Sequence, residues 1–155
     1  MPRPHPPAGR CVFCEIVRGE REAAGVYEDA RVVAFLDQRP LLKGHTLLVP
    51  RDHIETLDDL PPEEVAPLFG ASRLLGRALQ RGLASDGVFL AVNVRVSQSV
   101  PHLHIHLVPR WEKDGLFSPR MVWKRRPYRD EEERRSYQER VRAAAAALRD
   151  EESRR

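Results

Sequence analysis

The stretch that decides the fold is Pro101–Arg110, PHLHIHLVPR, where histidine occupies positions 102, 104 and 106 and leucine or isoleucine fills 103, 105 and 107. Side chains alternate between the two faces of a β-strand, so this spacing predicts three imidazoles on one face and an apolar row on the other. Residues two apart on a strand stand roughly 6.5–7 Å apart, so neighbouring rings can serve one substrate group. Such a row admits three readings: ligands of a catalytic zinc, a nucleophilic imidazole flanked by rings that orient and charge it, or histidines without a role. Strict alternation, following a polar loop (Ser97-Gln98-Ser99) and ending in Pro-Arg, favours chemistry.

Upstream, Gly87–Val94 (GVFLAVNV) reads as a strand joined to the histidine strand by the tight connection Arg95–Pro101. Val26–Glu28 and Arg31–Leu36 read as two strands around an Asp29-Ala30 turn. His45–Pro50 (HTLLVP) is a third strand ended by its proline. Asp58-Asp59 and Pro61-Pro62 announce a helix running to about Arg81, with Val65, Leu68, Phe69, Leu75 and Leu79 as its stripe. Gly82 is the expected stop, and Pro67 either delays the regular helix or kinks its first turn. Asp114–Arg126 is irregular. A last helix spans about Asp130–Asp150, with Tyr137, Val141, Ala144 and Leu148 on its apolar stripe. Connections between neighbouring strands are too short for crossover helices, so the fold class is α+β, a mainly antiparallel sheet with helices against it.

At 155 residues, 41% hydrophobic and 32% charged, the chain suits one soluble domain that buries roughly two thirds of its unfolded surface. No apolar run approaches the ~18 residues of a membrane span, and MPRPHPPAGR lacks the apolar segment of a signal peptide, so no membrane partner and a cytoplasmic location are expected. The net charge of +3 is compatible with an anionic substrate. Lys124–Arg126 and Arg134–Arg135 alternate with acidic runs such as Asp130–Glu133, which reads as a solvated helix face rather than a nucleic-acid surface. Cys11 and Cys14 are the only cysteines. In a reducing compartment that spacing is a metal half-site or a redox motif.

The histidine pattern resembles the signature of the histidine triad (HIT) superfamily of nucleotide hydrolases and transferases. The blocks CVFCEIVRGE, VYEDARVVAFLD, KGHTLLVPRDH and SQSVPHLHIHLVPR occur in that family's order and near its spacing, covering roughly Cys11–Arg110. The resemblance implies an antiparallel five-stranded sheet with two helices, pairing into a homodimer. Residues 1–10, rich in Pro and Arg, read as a disordered tail; a catalytic domain (11–126) follows, with a C-terminal helix (127–155) packing on or extending the same domain. The resemblance also implies cleavage at the α-phosphate of a purine nucleoside 5′-phosphate derivative, a dinucleoside polyphosphate or an adenosine phosphoramidate. Water, or phosphate in a transferase or phosphorylase, would accept the nucleotidyl group; a zinc-stabilised nucleotide-binding module is the non-enzymatic variant.

The resemblance makes His104 the nucleophile, His106 its phosphate-side partner and His102 the third catalytic histidine, with His45 in support. It assigns Asp37 to the ribose hydroxyls, Asn93, Gln98 and Ser99 to the phosphate and leaving group, and Phe13 and Phe35 to a nucleobase slot. Here the chain has Ser97 where family members often have glycine, and a shorter connection from Asn93. Bacterial relatives with the same Cys-x-x-Cys imply a structural zinc on Cys11, Cys14, His53 and His102, with no metal needed for catalysis. The C-terminal segment, including Trp123, is expected near the partner's site.

Overall fold

A computed structural model describes residues 11–119 and 124–154. Residues 1–10 and Trp123, for which expectations were stated, lie outside the described residues. Five strands form one sheet in the order β1-β2-β3-β5-β4: β1 (Gly25–Glu28), β2 (Val32–Leu36), β3 (Thr46–Pro50), β4 (Gly87–Val92) and β5 (Ile105–Arg110). Every adjacent pair is antiparallel. β5 is the pivot, placing His106 opposite Leu47 of β3 and Ala91 of β4.

One face of the sheet carries the main core. Leu103, Ile105 and Leu107 are at most 1% exposed and pack with Ala34, Leu36 and Leu48 against two long helices, α2 (Pro62–Leu83) and α3 (Glu131–Ser153). Val33, Phe35, Leu47 and Val49 pack on the other face, under the short helix α1 (Val12–Val17). The triad histidines share that second face, where His106 stands opposite Leu47, as period-two alternation requires.

Three local expectations are corrected. The histidine strand is regular only from Ile105, so His102 and His104 precede it. There the backbone turns away from β3: the His102 N–H donates to the Val100 carbonyl and the Leu103 N–H to the Ile54 carbonyl. Gly82 does not stop α2, which continues to Leu83 and ends at Ala84 in the left-handed region, φ 51°. Glycine is needed at 82 because a Cβ there would lie 2.5 Å from the Arg140 carbonyl of α3. A third helix also exists, α1, six residues long and capped by the Cys11 sulfur, which accepts from the Cys14 N–H.

The C-terminal part folds back on the same sheet, as α3 packs on α2 and β1. No helix among the described residues is long and apolar enough to cross a membrane.

Candidate active site and metal centre

Each histidine of the row is held by a specific acceptor or donor, and those partners settle which ring nitrogen is free. The Leu41 N–H donates to His45 Nδ1 (3.2 Å), so the His45 proton sits on Nε2 and is donated to His106 Nδ1 (3.0 Å). His106 therefore carries its own proton on Nε2. His104 Nδ1–H donates to the His102 carbonyl (2.7 Å), leaving the Nε2 lone pair of His104 available. His102 Nε2–H donates to the Pro50 carbonyl (2.9 Å), leaving its Nδ1 unprotonated toward the cysteines. Backbone groups thus fix the tautomers of three rings and, through His45, of the fourth.

Burial keeps these rings neutral. It is the main cause lowering His45, His102 and His106 to about 4, each from an ordinary 6.5. His104 is also lowered by burial, opposed by its bond to the His102 carbonyl and by the Asp37 carboxylate. A neutral imidazole with a directed lone pair is a nucleophile at pH 7. His104 and His106 stand with ring centroids 4.9 Å apart, and Phe13 meets the His104 edge at 5.2 Å.

The sulfurs of Cys11 and Cys14 and the Nδ1 atoms of His53 and His102 all lie within 4.8 Å of one another. The separations are 3.4 Å for Cys11–His102, 3.2 Å for Cys14–His53 and 3.5 Å for Cys14–His102. Tetrahedral zinc with Zn–S of about 2.3 Å and Zn–N of about 2.0–2.1 Å has S···N edges of about 3.5 Å. The donor set therefore fits a zinc ion in type, number and spacing, and the Pro50 carbonyl supplies the partner that a zinc-ligating histidine needs on its other nitrogen. The cysteines are not bridged. A second cluster, Asp37, His45 and His106, is also compact. Both nitrogens of His45 are already engaged there, which disfavours a metal at the triad.

The remaining predicted residues are spread around this centre. Asp37 follows β2, half-buried, with Oδ1 accepting the Arg39 N–H (2.8 Å) and Oδ2 3.7 Å from His45 Nδ1. Phe35 is 3% exposed and Phe13 7%, and the two rings pack edge to face at 5.5 Å. Asn93 lies half-buried just past β4, and Ser99 is exposed in the loop before the triad. The Gln98 side chain braces that loop, donating to the Glu55 carbonyl (2.6 Å) and accepting the Arg95 N–H (2.9 Å). Arg95 and Ser97 adopt φ of 65° and 61°, so the shortened connection turns through two left-handed residues.

Several groups of the site were not readable from sequence: the Leu41 N–H, the carbonyls of Pro50, Ile54 and His102, and Arg125. Lys124–Arg126, expected on a solvated helix face, lies outside any helix. Its backbone runs beside the Asp37–Gly44 loop, with the Arg126 N–H donating to the Pro40 carbonyl (2.9 Å).

Histidines arranged in this way on an α+β sheet define a class, and the comparisons agree with it. Residues 18–113 match the HIT domain model, and the chain belongs to the HIT family. It is 39% identical over 110 residues to adenylylsulfatase HINT3 of Arabidopsis thaliana, covering 70% of this chain and 56% of that protein, so it spans little more than half of that relative. It is 43% identical over 107 residues to a HIT-like protein of Methanocaldococcus jannaschii, covering 68% of this chain and 82% of the relative. Among solved structures, a zinc-bound histidine triad family protein of Mycobacterium smegmatis superposes with a TM-score of 0.80 at 37% identity, covering 93% of this chain and 99% of that one. A hypothetical histidine triad nucleotide-binding protein of Sulfolobus tokodaii gives 0.79 at 31% identity, covering 90% of this chain and 94% of that one.

Proposed function

We propose that this chain hydrolyses nucleoside 5′-phosphate derivatives at the α-phosphate through a nucleotidyl-His104 intermediate. The observation that carries the reading is the tautomer pattern: His104 keeps a free Nε2 lone pair while neighbouring His106 keeps a free Nε2–H. The His104 lone pair forms a P–N bond, and the bond from phosphorus to the leaving group breaks, its electron pair departing with that group. His106 Nε2–H donates to the leaving group or to a non-bridging oxygen. The phosphorylated ring becomes cationic, and the His102 carbonyl accepting from Nδ1 stabilises that charge. Water then attacks phosphorus and gives up a proton to solvent, the P–N bond breaks, and its electrons return to His104 Nε2.

Asp37 would accept the ribose hydroxyls of a purine nucleotide, with Asn93 and Ser99 donating to the phosphate. Phe13 and Phe35 would border the base, and Gln98 would shape the loop. Zinc on Cys11, Cys14, His53 and His102 would tie α1 and the His53 turn to the lead-in of β5, a structural role. A homodimer is the assembly we favour, because β4 forms an edge of the sheet, with Leu90 on it and Val65 and Phe69 on α2 exposed. The cytoplasm is the proposed location.

The test is turnover of adenylyl substrates with acid-sensitive trapping of the intermediate. Wild type should give a labelled His104, and His104→Ala should lose label and turnover together. Unchanged turnover in His104→Ala would remove the mechanism.

A further inference from the structure

The segment Lys124–Arg129 is stitched along the loop that holds Asp37 and leads to His45. Arg125 donates to the Arg39 carbonyl, the Arg126 N–H to the Pro40 carbonyl (2.9 Å), and the Gly44 N–H to the Tyr128 hydroxyl (2.9 Å). Lys43 pairs with Glu133 (2.6 Å), so its charge is spent on α3. Arg39, whose carbonyl receives Arg125, is itself bonded through its N–H to the Asp37 carboxylate. The Arg125 guanidinium is thereby anchored two residues from Asp37, on the side of the site occupied by His45 and His106.

Its electrostatic state differs from that of Arg110 and Arg129, whereas Arg126, like Arg125, donates to a backbone carbonyl (Asp114, 2.8 Å). Arg110 is neutralised by Asp114 (2.6 Å) and Arg129 by Asp130 (2.7 Å). Among the described residues no carboxylate lies within ion-pairing distance of Arg125, which is exposed and oriented by a carbonyl. A carbonyl directs a guanidinium without cancelling its charge, and the remaining N–H groups match two oxygens of a phosphate or sulfate. The charge is felt in the site: after burial, Arg125 is among the lesser causes that lower His45 and His106.

We propose that Arg125 binds an oxyanion that the substrate carries in addition to its α-phosphate, a phosphate or sulfate placed either in the leaving group or on the ribose. The assignment rests on the reading of the triad as a nucleotide site. It narrows that reading to substrates with at least one further negative group, over phosphoramidates with neutral leaving groups.

The experiment is titration calorimetry of the zinc-saturated full chain with AMP, ADP and adenosine 3′,5′-bisphosphate, using wild type, Arg125→Gln, Arg125→Lys and Arg126→Gln. Wild type should bind ADP or the bisphosphate about 2–5-fold more tightly than AMP, the range of one exposed ion pair. Arg125→Gln should erase that increment while Arg125→Lys keeps part of it and Arg126→Gln keeps most. A gain confined to ADP places the oxyanion in the leaving group; a gain confined to the bisphosphate places it on the ribose. The proposal is overturned if no ligand shows the increment, if it survives Arg125→Gln, or if Arg126→Gln abolishes it equally. Turnover of an adenylyl ester is followed in parallel. An Arg125-dependent increment without His104-dependent turnover removes the enzymatic reading and leaves this one standing, and the reverse result does the opposite.

Discussion

His45 is 1% exposed, has both ring nitrogens engaged and is held neutral, so it should make the fold acid-sensitive in a calculable way. Its pKa falls from 6.5 to about 4, mainly because burial penalises the charged ring. The unfolded chain therefore binds the proton first as pH drops, and stability is lost in that window. The contribution is fully present above 6.5 and declines as pH falls toward 4. Integrating the two titrations gives a loss of about 2 kcal/mol between pH 7 and pH 5, reaching about 3 kcal/mol near pH 4.

The perturbation that isolates this effect is His45→Asn. The asparagine amide oxygen can stand where Nδ1 stood and keep the Leu41 N–H satisfied, but it cannot reach His106. At pH 7 the variant should lose about 0.5–1.5 kcal/mol for the missing bond. Urea unfolding at pH 7, 6 and 5 then measures the difference between the two proteins at each pH. Groups distant from residue 45, the cysteines and His53 included, cancel in that comparison, while His106, which loses its donor, adds to the difference. The variant should lose about 2 kcal/mol less than wild type between pH 7 and 5, so the two curves converge on acidification. Parallel curves would show that His45 is not held neutral by burial, and the tautomer chain from Leu41 to His106 would fall with it.

Gly82→Ala should destabilise despite the roughly 0.5–1 kcal/mol that alanine gains over glycine inside a helix. The new Cβ meets the backbone carbonyl of Arg140 at 2.5 Å and the Ala144 Cβ at 3.3 Å, so α2 and α3 must separate. A net loss of about 1–3 kcal/mol in thermal or urea unfolding is expected, and a gain would refute the close approach. Cys14→Ser should abolish stoichiometric zinc and lower the melting temperature. If zinc is present at about a thousand times its Kd, its removal costs about 4 kcal/mol, or about 10 °C for a chain of this size. A chelator should reproduce the shift in wild type. One zinc per chain in Cys14→Ser, or a melt indifferent to chelator, rejects the site.

The strands were legible as short runs between polar turns: VVAFL and HTLLVP are continuous and buried on both faces, and the histidine stretch alternates with a period of two. The long helices were legible from their stripes, but not where tertiary contact overrides local signals. Gly82 looks like a helix stop, yet it is a point of close approach whose reason lies 58 residues away in Arg140. α1 escaped notice because six residues are too few to show a helical period, and cysteine is an unusual cap. The ligands and the triad were visible as side-chain types at fixed spacing. The backbone groups that choose among their nitrogens were not, because every residue carries the same carbonyl and N–H. Arg125 was hidden for a related reason: in a basic run, only the fold says which cation faces a site and which faces water.

The alternation of three histidines conceals an unequal division of labour that follows from where the ladder ends. At His106 the strand is regular, and the ring takes its partner from His45, the residue just before β3. At His104 the ladder has been left behind, so the His102 carbonyl is free to accept from a side chain and fix the His104 tautomer. His102, one step further out, is anchored through its own ring, Nε2 on Pro50 and Nδ1 toward Cys11 and Cys14. Residue 102 thus serves both centres at once: its ring belongs to the metal-type cluster and its carbonyl sets the tautomer of His104. A fully regular strand through residues 102–106 would commit that carbonyl to a neighbouring strand. The irregularity before β5 is therefore what allows one row of histidines to combine a ring in the cysteine cluster with a second ring whose Nε2 lone pair is left available.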